Sequence, residues 1–131
     1  MNLFKNVGPG WVQTSVPVFS PDKKIMAFTT ENQTIIRDVS KSSGSAWNVQ
    51  GKKFLWAWDS TLLAIYASNR KIYIILPNGG DLQEIYSLSA FENLEDWIWF
   101  ADHQHIILIV KCSDGNTQIR VLSVMERRLI Q

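Results

Sequence analysis

Val16-Pro-Val-Phe-Ser-Pro-Asp-Lys-Lys-Ile-Met-Ala-Phe28 reads as a strand, a turn and a strand. Two later stretches read the same way: Phe54-Leu-Trp-Ala-Trp-Asp-Ser-Thr-Leu-Leu-Ala-Ile-Tyr66 and Trp97-Ile-Trp-Phe-Ala-Asp-His-Gln-His-Ile-Ile-Leu-Ile-Val110. Each is followed by a polar turn and another β-rich run. Self-similarity at a fixed period decides architecture before any single residue is interpreted. With the aromatic that closes the first strand as marker, Phe19, Trp58 and Phe100 lie 39 and 42 residues apart. The apolar residues that open the second strand, Ile25, Leu62 and Ile106, lie 37 and 44 apart. Both series sit near the ~40–45-residue period of a four-stranded propeller blade. Helical repeats of that length need long amphipathic stretches, and the chain offers none.

The second strands, Ile25-Met-Ala-Phe-Thr-Thr30, Leu62-Leu-Ala-Ile-Tyr-Ala67 and Ile106-Ile-Leu-Ile-Val110, are apolar on both faces. Such runs suit strands covered on both sides. Tight polar turns follow at Glu31-Asn32, Ser68-Asn-Arg70 and Ser113-Asp-Gly-Asn116, residue types that tolerate positive φ. The returning strands are Gln33 to Val39, Lys71 to Leu76 and Thr117 to Val124. The first and last of these mix apolar and polar positions, which predicts partial exposure. Outer strands are expected at Ala46 to Gln50 and Leu82 to Leu88, with only Glu126 to Gln131 left for the third unit. Ser89-Ala-Phe-Glu92 has capping-box spacing and predicts one helical turn. Met1 to Val7 reads as a lone strand.

Phe19-Ser-Pro-Asp-Lys-Lys-Ile-Met-Ala-Phe28 resembles the aromatic-Ser-Pro-Asp-Gly-x-x-apolar-Ala segment of WD40-type β-propellers. Trp58-Asp-Ser-Thr-Leu-Leu-Ala-Ile65 looks like the same segment with a shorter turn. Thr34-Ile-Ile-Arg-Asp-Val39 resembles the family's strand ending in Trp-Asp, with Arg37 in place of Trp and Asp38 keeping the acidic position. The dipeptide is absent from the other two units, and the Gly-His pair from all three. The resemblance, over about residues 16–124, implies an all-β fold of three four-stranded antiparallel blades, WD40-like, forming an incomplete ring. The expected blades are about 11–51, 53–88 and 96–131.

Three blades leave one sheet face uncovered at each end, and Phe28 and Leu108 are the residues expected to be wet. At ~25 cal/mol per Å² a bare face is costly and promotes association. The chain is therefore expected to be part of a larger propeller, to pair with itself, or to complete a partner's ring.

The 131 residues suffice for one domain with a real core. A net charge of +1 gives no strong field for nucleic acid or acidic membrane. Cys112 stands alone, so no internal disulfide is available, and residues 1–10 contain no signal-type apolar run. A reducing intracellular compartment, the cytoplasm, is the expectation.

No nucleotide-loop, serine-hydrolase or zinc-protease motif occurs. His103-Gln-His105 could place two imidazoles on one strand face. It lies in a turn where polar residues belong anyway, and no cofactor or metal is implied. Asp22, Asp59 and Asp102 recur at similar positions and read as turn-capping carboxylates. Lys23-Lys24, Lys52-Lys53, Arg70-Lys71 and Arg127-Arg128 could line one rim and meet phosphate or nucleic acid. Trp56 with Trp58, and Trp97 with Trp99, should share strand faces and pack between blades. Trp11 and Trp47 lie outside the central strands and are the candidate protein-binding residues. The leading expectation is a non-enzymatic protein-interaction scaffold, since the WD40 resemblance implies assembly into multi-subunit complexes, a trafficking or tethering complex being one specific form. The alternative is a propeller with a ligand-binding or catalytic site in a central channel.

Overall fold

A computed structural model describes residues 17–31, 33–41, 44–80 and 82–130. These residues form twelve strands and no helix. The strands are β1 (Val18–Phe19), β2 (Ile25–Thr29), β3 (Thr34–Asp38), β4 (Gly44–Trp47), β5 (Gly51–Trp56), β6 (Leu63–Ala67), β7 (Lys71–Ile75), β8 (Gln83–Ser87), β9 (Glu92–Trp99), β10 (His105–Cys112), β11 (Thr117–Ser123) and β12 (Arg128–Leu129). They make three antiparallel four-stranded meanders, β1-β2-β3-β4, β5-β6-β7-β8 and β9-β10-β11-β12, hereafter blades 1, 2 and 3. The fold is the open, propeller-type, all-β architecture expected from the repeat. Met1 to Val7 and Trp11 lie outside the described residues.

The repeat is recorded in the turn between the first and second strands. Ser20, Ala57 and Phe100 each donate an N–H to the carbonyl five residues on, at Ile25, Leu62 and His105. Within the turn, Asp22, Asp59 and Asp102 each accept the N–H two residues on, at 2.9–3.1 Å. The intervening Lys23, Ser60 and His103 have φ of 62°, 64° and 56°, the left-handed region. Three unlike sequences thus fold into one Asx-stabilised turn. The true spacing is that of the aspartates, 37 and 43 residues. The aromatics that close the first strands are Phe19, Trp56 and Trp99, opposite Met26, Leu63 and Ile106. Trp58 and Phe100 are turn residues.

Strand parity sends alternate side chains to opposite faces. Ala27 and Ile36 of blade 1 pack with Trp56, Leu63, Ile65 and Ile75 of blade 2. The other face of blade 2, with Ala64, Tyr66, Ile72, Ile74 and Ile85, packs with Leu94, Trp97, Trp99, Ile106, Leu108, Val110 and Leu122 of blade 3. Met26, Phe28 and Ile35 form a third buried group on the far face of blade 1, flanked by Phe19 and Val39.

Several expectations are corrected. Phe28 and Leu108 are fully buried; Leu108 points toward blade 2, because it stands opposite Trp97 on the inner face. Thr34 to Arg37 are buried, because both faces of β3 are covered: Ile36 packs on blade 2, while Ile35 lies in the buried group on the far face of blade 1. Half of the capping box forms, with the Ser89 N–H donating to Glu92 Oε1 at 3.0 Å, but Ser89 Oγ accepts the Phe91 N–H and the Glu92 N–H goes to the Ser89 carbonyl, which closes a tight turn. No helix follows, because Glu92 already opens the eight-residue β9. Trp97 and Trp99 share a buried face as expected, whereas Trp56 is buried and Trp58 is 59% exposed.

Candidate protein-interaction surface

The two joints between blades use corresponding contacts. In the first, the Trp56 indole N–H donates to the Val18 carbonyl at 3.2 Å. In the second, the Trp99 indole N–H donates to the Leu55 carbonyl at 3.0 Å. Val18 and Leu55 are equivalent, each standing one residue before the strand-closing aromatic and opposite an alanine, Ala27 or Ala64. At the turn rim, the left-handed residue of one blade reaches the aspartate of the blade before. Ser60 Oγ accepts the Asp22 N–H at 3.0 Å, and His103 Nδ1 meets Asp59 Oδ2 at 3.1 Å. The second joint carries a further clamp. Arg120 on β11 pairs with Glu92 on β9 and donates to the Tyr86 hydroxyl of blade 2 at 3.0 Å. The Arg120 hydrogen bond holds the Glu92 carboxyl well below its usual 4.5, at about 2, helped by the Ser89 N–H.

Cross-strand pairing identifies the positions on blade 3 that correspond to the covered face of blade 2. Ala64 and Ile74 correspond to Ile107 and Val121, Tyr66 and Ile72 to Ile109 and Ile119, and Leu55 to Ile98. On blade 2, Ala64, Tyr66, Ile72 and Ile74 are buried by blade 3. On blade 3, Ile119 is 70% exposed, Ile98 is 47% exposed, and Ile107, Ile109 and Val121 are half-buried. Four isoleucines and a valine therefore stand together on a face with nothing packed across it among the described residues. An apolar cluster of this kind marks a contact surface. It is the uncovered end face that the repeat count implies, formed by Ile107 and Ile109 and not by Leu108.

Trp47, on the outer strand β4, is half-buried and packs its ring on the core between blades 1 and 2. Its remaining surface is open. Trp11 lies outside the described residues. Trp58, overlooked by sequence reasoning, is the described tryptophan with most surface free, and its indole N–H donates to the Trp99 carbonyl at 3.3 Å. The signal available in the sequence is its register with Pro21 and Ala101, which are turn residues. His103 and His105 do not converge, since His105 Nδ1 lies 2.7 Å from Asp102 while His103 faces Asp59.

The basic pairs do not share a rim. Lys23-Lys24 lie in the β1–β2 turn, Lys52-Lys53 within β5, Arg70-Lys71 at the β6–β7 turn and Arg127-Arg128 at the β11–β12 turn. Several have partners within the chain, among them Lys71 with Glu84 at 2.9 Å and Arg127 with Gln83 at 2.7 Å. The first strands of blades 2 and 3 approach each other, with Lys53 Nζ 2.7 Å from the Glu95 carbonyl. Asp22, Asp38, Asp59 and Asp102 all titrate below 3.8, chiefly through hydrogen bonds inside their own turns. Among the described residues no helix is long and apolar enough to cross a membrane.

No protein-family model matches the chain, and no curated protein sequence does. Solved structures do. Oligogalacturonate lyase from Vibrio parahaemolyticus superposes with a TM-score of 0.69 at 9% identity, over 95% of this chain and 41% of that one. An oligogalacturonate lyase in complex with manganese gives 0.67 at 9% identity, over 95% and 43%. A candidate TolB from Agrobacterium tumefaciens gives 0.59 at 17% identity, over 87% and 43%. These likenesses establish a propeller-type fold. The chain spans about two-fifths of the length of each of these three structures.

Proposed function

We propose that this chain is a WD40-type arc of a propeller that acts as a non-enzymatic protein-interaction scaffold, within a larger propeller or a multi-subunit intracellular complex. The observation that carries this reading is the open face of blade 3. The corresponding positions of blade 2 lose their water to a neighbouring sheet, and those of blade 3 are more apolar still. Trp47 and Trp11 are the additional contact residues in this reading, Trp47 because its ring is fixed by the core while part of it remains open. A tagged wild-type chain, an Ile98→Arg/Ile119→Arg double variant and a Trp47→Ala variant are compared by affinity recovery from the source cells. Loss of a stoichiometric partner in the double variant, with the chain still folded by circular dichroism, supports the reading. Unchanged recovery in both variants refutes it.

A second reading places a ligand-binding or catalytic site in the central channel. Its support is the approach of β5 and β9, which brings the Lys53 ammonium to the Glu95 carbonyl, together with the likeness to two oligogalacturonate lyase structures. Release of unsaturated products from oligogalacturonate by the purified chain, lost on Lys53→Ala, would favour it. Binding of phosphate or nucleic acid through the basic pairs would require steep salt dependence.

A further inference from the structure

The joints of this molecule form a series whose next member can be written down. Its donors are the aromatics at the end of the first strand: Trp56 reaching back to blade 1 and Trp99 reaching back to blade 2. Its acceptors are the carbonyls of Val18 and Leu55. The next acceptor position is Ile98, which stands opposite Ile107 as Leu55 stands opposite Ala64. The rim series runs Asp22 with Ser60, then Asp59 with His103, and its next member is Asp102.

We propose that the open face of blade 3 receives a further four-stranded antiparallel blade, which brings an indole N–H to the Ile98 carbonyl and a polar turn residue to Asp102. This rests on the reading of that face as the interaction surface and names what covers it. The incoming blade presents a leading face like those of blades 2 and 3, with a tryptophan at the end of its inner strand. A second copy of this chain does not fit that description. Its blade 1 carries Phe19 at the donor position, which has no N–H, and Met26, Phe28 and Ile35 on its leading face are already buried. The matched structures continue well beyond the two-fifths that this chain overlays.

The test supplies such a blade. The full chain is extended after its last residue with a copy of its own residues 51–88, whose leading face already fits blade 1. Ile119→Cys, made together with Cys112→Ser so that one thiol remains, reports on cover through its rate of maleimide labelling. The labelling rate is expected to fall at least about tenfold in the extended chain. Trp56→Phe in the appended copy alone is expected to restore about fivefold of it, the worth of one net hydrogen bond. A parallel extension with residues 92–130, its own copy of Cys112 also changed to serine, guards against one copy failing to fold. The proposal is overturned in any of four cases. Both extended chains fold but label as fast as the unextended one, or neither accepts the extra blade as β-structure. The phenylalanine leaves protection intact, or the unextended chain protects the introduced thiol increasingly with concentration, which is the second-copy result. If the extensions fail but Ile98→Arg/Ile119→Arg still loses its partner, only the identity of the cover falls and the scaffold reading stands.

Discussion

Replacing Glu92 with glutamine tests whether its pair with Arg120, which orients that guanidinium toward Tyr86 of blade 2, contributes to stability. The carboxylate accepts from both terminal nitrogens of Arg120 and from the Ser89 N–H, and its side chain is 18% exposed. Its pKa falls from 4.5 to about 2 on folding. Taken whole, that shift corresponds to at most about 3 kcal/mol. Solvent screening at a pair near the surface lowers the expected loss to about 1–2 kcal/mol at pH 7. Because the folded pKa is depressed, the contribution is complete above about pH 5 and disappears as pH falls through about 2. By pH 3 roughly two-fifths should remain. Urea titrations of wild type and Glu92→Gln at pH 7, 5, 4 and 3 give the difference directly, with Glu126→Gln, from an exposed pair with Arg128, as control. A gap that does not narrow between pH 5 and pH 3, or one at pH 7 no larger than the control's, would refute the assignment.

Trp99→Phe and Trp56→Phe keep a ring in place but remove the indole N–H donated to the Leu55 and Val18 carbonyls. Each should cost about 1 kcal/mol in denaturant titration, while Trp58→Phe should cost under about 0.5 kcal/mol because most of its surface is open; equal losses at all three would dismiss the latch. The Tyr66 hydroxyl is buried with no hydrogen-bond partner among the described residues. Tyr66→Phe should therefore be neutral or raise the thermal midpoint, and a large drop would show a missed partner. Carbon-13 titration of the carboxyls should find Asp22, Asp59 and Asp102 all below 3.8. Ser20→Ala and Thr61→Ala should move the first two back up, and no movement would rule out the hydroxyls as the leading cause.

The strands themselves are legible in the sequence. Ile25–Thr29, Leu63–Ala67 and His105–Cys112 are dense in β-branched and apolar residues, and the turns that follow carry Asn, Asp or Gly. The register is less so, because the aromatics make a poor ruler. The aspartate is the better one, since the turn's hydrogen bonds require it at one position, whereas an aromatic can sit in the strand, as Trp56 does, or in the turn, as Trp58 does. The repeat count points to an uncovered face but not to the residues that form it. Ile106-Ile-Leu-Ile-Val110 is apolar throughout, so its own pattern hides which side chains point inward. Parity is set by the neighbours: Trp97 and Trp99 alternate with Ile98, and Leu122 alternates with Val121. The indole latches leave no trace in the sequence, because their acceptors are main-chain carbonyls that any residue could supply.

Lys23, Ser60 and His103 all occupy a backbone conformation that glycine would adopt without strain. Ser60 and His103 accept that local penalty and use the side chain to grip the preceding blade; Lys23 has no earlier described blade to reach. Glycine should therefore be tolerated or welcome at Lys23 and harmful at the other two. A position that looks like a generic bend in each blade is in fact where the molecule trades backbone comfort for cohesion, and where neighbouring sheets could be loosened one seam at a time.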